Sequence, residues 1–333
     1  MRISEICASR QISIIDAYTP LIIPSFSSRG FPELESIYEV TKDYISDISL
    51  ISAYDIYYKL QNVDIYASNI LFIDSGGYET KIIQSSVNSD DVYALRDNYN
   101  VYDWSRDLHQ IVLDNLQPLS QLVLISYDDC NNWESVLSQI EIAKSFFQKY
   151  PNHASNFLYK PETPKSPVIN LDSLLGYAHH LTSFSILGIT EKELGTSILE
   201  RCCNLLKIRS TLNEQGIQIP IHVLGCLDPI LIISYFFCGA DIFDGLAWLR
   251  YALVEGLTLY QSTAALMQTD WHYTDLELNQ LYSINNLQSL SSLSHAMHRF
   301  SRTRRIQEFS AWGKIMPQVL NLVENAGLKV REE

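Results

Sequence analysis

Eight short apolar segments recur along this chain, and most are followed by a stretch long enough to form a helix. The segments are rich in β-branched and aromatic residues, which favours strands. They are Thr19–Phe26, Ile48–Ala53, Asn69–Asp74, Leu122–Tyr127, Asn156–Lys160, Phe184–Gly188, Pro220–Gly225 and Ala240–Asp244. Eight strand–helix units in about 250 residues predict an α/β fold, the (β/α)8 TIM barrel. A doubly wound open sheet is the alternative.

The pattern changes after Asp244. Residues 246–280 are mixed in character, and a long helical stretch follows from about Asn285 to Gly327. No internal repeat and no low-complexity linker interrupts the chain. We therefore expect one domain over residues 1–333, in which residues from about 246 to 333 form a helical C-terminal extension of the barrel.

Length and composition fit a cytoplasmic protein without a membrane anchor. The 333 residues, 47% of them hydrophobic, suffice for one large barrel. The longest apolar segment, Pro229–Ala240, is too short to span a membrane, and residues 1–5 lack the apolar core of a secretory signal. No two of the six cysteines form a CxxC pair, so we expect reduced thiols.

The net charge of −14 is unfavourable for binding the phosphates of a nucleic acid. Four arginines nevertheless cluster near the C-terminus, at Arg299, Arg302, Arg304 and Arg305. Two interpretations stay open for this cluster, a solvated helix face and a patch that contacts phosphates. If the substrate is a nucleic acid, we expect a basic partner protein to supply part of the binding.

The most informative motif, Asp74-Ser75-Gly76-Gly77-Tyr78, directly follows the third apolar segment. An aspartate lies where a buried strand ends, two glycines let the backbone approach a ligand closely, and a tyrosine offers a flat face. This combination suits a carboxylate that acts on a flat ring such as a nucleobase.

Further carboxylates end other segments: Asp128 and Asp129 end the fourth, and Asp244 ends the eighth. The C-terminal ends of TIM-barrel strands meet at one face, so these groups are expected to share a pocket. Two carboxylates suffice for displacement at a sugar C1′, one as nucleophile and the other moving protons. The alternative is that each aspartate caps a helix. A glycoside hydrolase also fits the paired acids, but it leaves no role for the glycine–tyrosine loop.

The histidines show no spacing typical of a metal site. His222 lies within the seventh segment, near the expected pocket. It is either a hydrogen-bonded core residue or a residue that tunes the pocket, and the sequence leaves both interpretations open.

These motifs resemble those of the tRNA-guanine transglycosylase superfamily, whose members exchange a guanine for a 7-deazaguanine base. The resemblance covers roughly residues 18–300. Four motifs carry it in the same order along the chain: Asp74-Ser75-Gly76-Gly77-Tyr78-Glu79, Ser126-Tyr127-Asp128-Asp129-Cys130, Val223-Leu224-Gly225 and Gly239-Ala240-Asp241-Ile242-Phe243-Asp244.

The resemblance implies that Asp244 is the nucleophile that binds the sugar C1′, and that Asp74 is the general acid and base. Asp128 would bind the Watson–Crick edge of the base. Tyr78 and Leu224 would sandwich its ring. The remaining base-binding positions are Ser75, Gly77, Asp129, Gly225, and Leu187 with Gly188, whose backbone would bind the ring carbonyl. The target nucleotide must be turned out of its helix or presented unpaired.

The chain departs from the tRNA enzymes of this family in four places. After Asp244 those enzymes read Leu-Pro-Thr-Arg, whereas this chain reads Gly245-Leu246-Ala247-Trp248-Leu249-Arg250 and keeps only the arginine. Those enzymes hold a structural zinc with three cysteines and a histidine, but residues 253–285 contain no cysteine, so we expect no metal and no cofactor. Tyr159-Lys160-Pro161-Glu162 replaces a glycine- and glutamine-containing strand end that reads the base. Glu79 replaces a glutamine beside the tyrosine.

The sequence is most similar to the DNA-directed (DpdA-type) branch, which places 7-cyano-7-deazaguanine in DNA. Residues 188–195 and 243–248 carry this finer resemblance. It implies DNA rather than tRNA as the nucleic-acid partner and a free 7-deazaguanine base as the second substrate. A helper protein of a DNA-modification system and an oligomer are also compatible with it. A catalytically idle recognition subunit is the alternative from another class.

Two residues after Asp244 are candidates for contacts to the nucleotide that flanks the target. They are Trp248 and Arg250. Trp248 has an alternative interpretation, in which its side chain packs between the barrel and the extension.

Overall fold

Eight parallel strands close into a barrel in the computed structural model of this protein. The structure describes residues 6–29, 31, 34–61, 63–80, 101–129 and 133–329. The barrel strands are β1 (Leu21–Phe26), β2 (Ile48–Ser52), β3 (Ile70–Asp74), β4 (Gln121–Ile125), β5 (Ala154–Leu158), β6 (Ile186–Thr190), β7 (Ile221–Leu224) and β8 (Ile242–Gly245). Each strand pairs with the next, and β8 pairs back with β1 with Asp244 opposite Ile23. The predicted TIM barrel is confirmed, and the open sheet is excluded.

Helices surround the barrel and continue beyond it. The described α-helices are α1 (Leu34–Thr41), α2 (Ala53–Tyr58), α3 (Gly77–Thr80), α4 (Arg106–Asp114), α5 (Val136–Phe147), α6 (Leu171–Gly176), α7 (Ile198–Glu214), α8 (Pro229–Phe237), α9 (Ala247–Arg250), α10 (Gln261–Gln268), α11 (Asp275–Thr303) and α12 (Met316–Asn325). Short 3-10 helices lie at Lys42–Tyr44, Ala178–Ser183, Glu191–Glu193 and Ile306–Trp312.

Side chains alternate along each strand between the barrel interior and the helix layer. On β3, Phe72 belongs to the apolar cluster inside the barrel, whereas Leu71 and Ile73 pack in the outer cluster with helix residues. The period of two places Asp74 on the interior side, at the C-terminal end of β3. The same period places Asp244 two residues beyond the interior residue Ile242.

A short hairpin fills the N-terminal end of the barrel. Gln11–Ile12 pairs with Ala17–Tyr18, and the hairpin residues Ile12 and Ile15 join the interior apolar cluster. The strand-end carboxylates lie at the opposite end of the barrel.

The chain after β8 forms a two-stranded hairpin, Tyr251–Val254 with Leu257–Tyr260, and then helices. The helix α11 begins with a capping box between Thr274 and Glu277, well before the predicted start near residue 285. It ends at Arg304, which has a left-handed backbone conformation with φ of 61°. The helical extension is thus confirmed, but it is divided into several helices.

No helix in the described part of the chain combines the length and the apolar character that a membrane crossing needs. Five cysteines are free thiols: Cys7, Cys202, Cys203, Cys226 and Cys238. Cys130 and residues 1–5, on which two of the expectations above depend, lie outside the described residues.

Candidate active site

Three of the predicted carboxylates meet at the open end of the barrel. Asp74 ends β3, Asp244 lies on β8, and Asp128 follows β4. The negative charges of Asp244 and Asp128 both act on Asp74, where they add to the effect of burial in raising its pKa. The fold therefore brings these three acids close together at the C-terminal end of the barrel, a region that we call the mouth.

Three donors hold the carboxylate of Asp244. Its Oδ1 accepts a hydrogen bond from the backbone N–H of Gly225 at 3.0 Å and lies 3.1 Å from Nε2 of His222. Its Oδ2 accepts the hydroxyl of Ser25 at 2.9 Å. Asp244 is only 6% exposed, so these contacts fix its orientation as a nucleophile at the mouth would require.

Asp74 is suited to exchange a proton near neutral pH. Burial, together with the charges of Asp244 and Asp128, raises the pKa of its carboxyl from 3.8 to about 6. The backbone N–H of Gly76 opposes this shift by donating to Oδ2 at 3.1 Å. A general acid and base works best when its pKa lies near the working pH.

A second acid, Glu79, lies buried behind Asp74. The hydroxyl of Ser27 donates to its Oε1 at 2.6 Å. Burial, followed by the charges of Asp55 and Asp74, raises the pKa of Glu79 from 4.5 to about 8. Glu79 therefore holds a proton near neutral pH.

Asp128 is fixed by contacts from two neighbouring loops. Its backbone N–H donates to the hydroxyl of Ser75 at 3.1 Å, and its Oδ2 lies 3.3 Å from Nζ of Lys160, which also pairs with Glu193 at 2.6 Å. A Cβ on Gly77 would lie 2.7 Å from the same Oδ2. Glycine is thus needed at position 77 so that Asp128 can approach α3.

Two arginines engage Tyr78, the predicted stacking residue. The guanidinium of Arg29 lies 5.0 Å from the centre of its ring. Nη2 of Arg250 donates to its hydroxyl at 2.6 Å, and the same guanidinium lies over the ring of Phe31. Arg250 is therefore placed to orient Tyr78, and its contact with a flanking nucleotide stays a prediction.

Gly188 and Leu224 line the interior below the mouth. A Cβ on Gly188 would lie 2.5 Å from Oδ1 of Asn156 and 3.1 Å from Leu224. Leu187 does not take part, which corrects the prediction for that residue. Its side chain packs in the outer cluster, and its backbone N–H donates to the carbonyl of Pro220 at 2.9 Å.

Asp129 lies at the rim rather than inside the mouth. Its carboxylate pairs with Arg106 at 3.3 Å, and both side chains are partly exposed. The guanidinium of Arg106 also lies 5.5 Å from the centre of the Tyr127 ring. Asp129 thus holds Arg106 beside the opening.

Trp248 does not face the mouth, so the prediction that it contacts a nucleotide is wrong. Its side chain is fully buried. Its indole N–H donates to the backbone carbonyl of Ser25 at 3.0 Å, and its ring packs edge-on against Phe26. Burial of a large aromatic ring whose N–H keeps a hydrogen-bond partner is more favourable than its exposure to solvent.

The arginine cluster lies at the closed end of the barrel. Phe300 of α11 packs against the last residues of α8, which lead into the start of β8. Arg299 pairs with Glu308 at 2.7 Å, and Arg304 donates to the backbone carbonyl of Cys7. These contacts favour the structural interpretation, because the cluster is remote from a nucleotide held at the mouth.

Four residues of the site escaped sequence analysis as contributors: Ser25, Asn156, Lys160 and Arg29. Ser25 and Asn156 are single polar residues at interior positions of β1 and β5, and strand alternation is the signal that could have found them. Lys160 was visible only as a departure from the motif of the tRNA enzymes that the sequence resembles. Arg29 carries no local signal.

Among the described residues, no group of three or more His, Cys, Asp or Glu side chains is arranged to hold a metal ion. The sequence matches no protein-family model, and no curated protein matches it significantly. The geometry of the mouth therefore carries the functional argument.

Proposed function

We propose that this protein is a base-exchange transglycosylase that replaces guanine in DNA with a 7-deazaguanine, such as 7-cyano-7-deazaguanine. One observation carries the proposal: an oriented carboxylate, Asp244, shares the mouth with Asp74, whose pKa is about 6. One acid is held for attack, and the other can give and take a proton. This division of roles is what displacement at C1′ requires.

In the first half of the reaction, Oδ2 of Asp244 attacks C1′ of the target nucleotide. The C1′–oxygen bond forms as the bond to guanine breaks, and the electron pair of the broken bond goes to the base. Asp74 gives its proton to the departing guanine. The products are a covalent aspartyl–sugar intermediate and an ionised Asp74.

In the second half, Asp74 takes the proton from the ring N–H of the incoming 7-deazaguanine. The base nitrogen then forms its bond to C1′ while the C1′–oxygen bond breaks, and the electron pair returns to Asp244. Both acids end in their starting states, so the cycle consumes no cofactor.

Recognition of the base is supported by the pair Asp128 and Lys160. The carboxylate of Asp128 is an acceptor, and Nζ of Lys160, 3.3 Å away, is a donor. This pair complements the ring N–H of guanine and its neighbouring carbonyl. The acidic chain offers little attraction to a phosphate backbone. We therefore expect a basic helper protein to bring the DNA to the mouth.

Incorporation of labelled guanine into DNA tests the proposal. Asp244→Asn removes the nucleophilic charge at nearly constant volume, so we expect exchange to fall to background while the fold is kept. Asp172→Asn is the matched control, because the Asp172 side chain is 88% exposed and pairs with Lys207 rather than with a residue of the mouth. Exchange at the normal rate in Asp244→Asn would refute the mechanism.

Duplex DNA and tRNA, offered in parallel, separate the proposed substrate from the tRNA alternative. Incorporation into tRNA alone would replace DNA as the substrate and keep the mechanism. Mass analysis of nucleosides from cellular DNA, with wild-type protein or Asp244→Asn, then identifies the inserted base. If wild-type protein and Asp244→Asn give identical nucleosides while the protein together with its helper still binds DNA, the chain is a recognition subunit.

A further inference from the structure

We propose that His222 is a positioning residue that holds Asp244, and that Asn156 determines which ring nitrogen of His222 carries the proton. The role given to Asp244 rests on the proposed function. The protonation pattern of the ring does not, and it can be measured independently.

The three side chains form one continuous chain of contacts inside the barrel. Nδ2 of Asn156 lies 2.8 Å from Nδ1 of His222, and Nε2 of His222 lies 3.1 Å from Oδ1 of Asp244. Asn156 and His222 are both fully buried. Each ring nitrogen of His222 therefore has one partner, and water does not compete for either.

The amide of Asn156 selects the tautomer. An amide nitrogen only donates, so Nδ1 of His222 must accept and carry no proton. The proton of the neutral ring then lies on Nε2, where it is donated to Asp244. In the opposite tautomer Nε2 would carry no proton. Two acceptors, Nε2 and the carboxylate oxygen of Asp244, would then face each other without a hydrogen bond.

The surroundings prevent the ring and the amide from rearranging. Phe72 packs edge-on against the ring of His222, with centroids 5.7 Å apart. Oδ1 of Asn156 lies 2.5 Å from the point where a Cβ of residue 188 would be, so only glycine leaves room for it. Among the residues that the structure describes, that buried oxygen has no hydrogen-bond partner, so turning the amide would gain no hydrogen bond there.

The arrangement has a chemical consequence for Asp244. Its Oδ1 receives two donors, from His222 and Gly225, whereas its Oδ2 receives one, from Ser25. Oδ2 is therefore the oxygen that attacks C1′, and Oδ1 becomes the carbonyl oxygen of the ester. When the ester bond breaks, the returning electron pair is stabilised by the two donors on Oδ1. His222 keeps its proton throughout.

Nitrogen-15 NMR of the histidine rings in the full-length protein tests the tautomer without any substrate. We expect His222, assigned by comparison with His222→Gln, to carry its proton on Nε2 alone. Asn156→Asp should place a proton on Nδ1 as well, because a carboxylate can only accept from that nitrogen while Nε2 still faces Asp244. Protonation at Nδ1 in the wild-type protein, or an unchanged spectrum in Asn156→Asp, would overturn the assignment.

Kinetics test the positioning role. His222→Phe keeps a ring but loses the donor, and we expect kcat to fall about 100-fold with little change in KM for the free base. His222→Gln can still donate a hydrogen bond to Asp244, so its kcat should lie between those of His222→Phe and the wild-type protein. If His222→Phe does not fold, His222→Gln alone tests the role. His179→Gln, at an exposed site, is the control. A kcat within twofold of wild type in both His222 variants would exclude the role. If the wild-type protein exchanges no base, the proposed function fails, and the NMR result still decides the tautomer.

Discussion

Trp248 donates its indole N–H to the backbone carbonyl of Ser25 at 3.0 Å, and the hydroxyl of Ser25 donates in turn to Asp244 at 2.9 Å. Trp248, one candidate for contact with the nucleic acid, therefore lies behind Asp244, the proposed nucleophile. It anchors the end of β1, from which Ser25 reaches across to β8.

Replacement of Trp248 by phenylalanine should destabilise the protein. The change keeps an aromatic ring but leaves the carbonyl of Ser25 buried without its donor, which costs about 1–3 kcal/mol. The free energy of unfolding in urea measures the loss. Trp271→Phe is the control, because Trp271 is 65% exposed and surface changes usually stay within about 0.5 kcal/mol. If Trp248→Phe and Trp271→Phe lowered the free energy of unfolding equally, the hydrogen bond from Trp248 to Ser25 would not stabilise the protein.

The release of guanine should depend on the proton held by Asp74. Since its pKa is raised to about 6, the protonated fraction falls roughly tenfold per pH unit above that value. Single-turnover release of labelled guanine should therefore be level below about pH 6 and decline above it.

The position of that decline should respond to the neighbouring charge. Asp128→Asn removes one of the charges that raise the pKa of Asp74, so the decline should begin at lower pH. Asp172→Asn should leave it in place. If the rate of guanine release by the wild-type protein did not change between pH 5 and pH 8, Asp74 would be excluded as the general acid.

Replacement of Glu79 by glutamine should stabilise the protein increasingly as the pH rises. The folded-state pKa of about 8 lies above the ordinary 4.5, so the folded protein retains a proton that the unfolded chain releases. Its stability therefore falls between these pH values, by at most about 1.4 kcal/mol per pH unit. Glutamine lacks this dependence, and it can still accept from Ser27.

Urea unfolding at pH 5 and pH 8.5 measures this effect. The gain in free energy of unfolding from Glu79→Gln should be small at pH 5 and largest at pH 8.5. Glu308→Gln, which alters an ion pair with the exposed Arg299, should show no such growth. An advantage that is constant with pH would mean that burial does not hold the proton on Glu79.

Addition of a methyl group at Gly188 should impair exchange by displacing Asn156. The new Cβ would lie 2.5 Å from Oδ1 of Asn156, so the amide must move away from His222. We expect the exchange rate to fall at least tenfold and stability to fall by about 1–3 kcal/mol. Gly176→Ala, where no atom lies within 4 Å of the new Cβ, should be neutral or slightly stabilising. An unimpaired Gly188→Ala variant would contradict the link between Asn156 and the nucleophile.

All eight barrel strands could be located from the sequence, because buried parallel strands are continuous apolar runs. Their boundaries were less accurate. The fifth strand was expected to begin at Asn156, but β5 begins at Ala154. Its first residues include Ser155, whose polar side chain is paired with the next strand through Ser185. Polar residues of this kind interrupt an apolar pattern without ending a strand.

The carboxylates of the mouth were accessible to sequence analysis because barrel topology alone brings strand ends together. The supporting residues were less accessible. Only strand alternation along β5 indicates that Asn156 faces the interior. Whether Trp248 turns inward depends on packing behind Ser25, and the location of Arg299 at the closed end depends on the direction of α11. Neither of these two is encoded in the residues immediately adjacent in the chain.

The hairpin at residues 11–18 has a consequence for the order of events in a base exchange. Because the hairpin packs into the far end of the barrel, guanine released in the proposed exchange would leave by the same end through which its replacement arrives. In the proposed mechanism the first base leaves before the second one reacts with the covalent intermediate, so we expect ping-pong kinetics. Between the two steps the sugar would stay attached to Asp244, and the site would have to exclude water so that the ester is not hydrolysed.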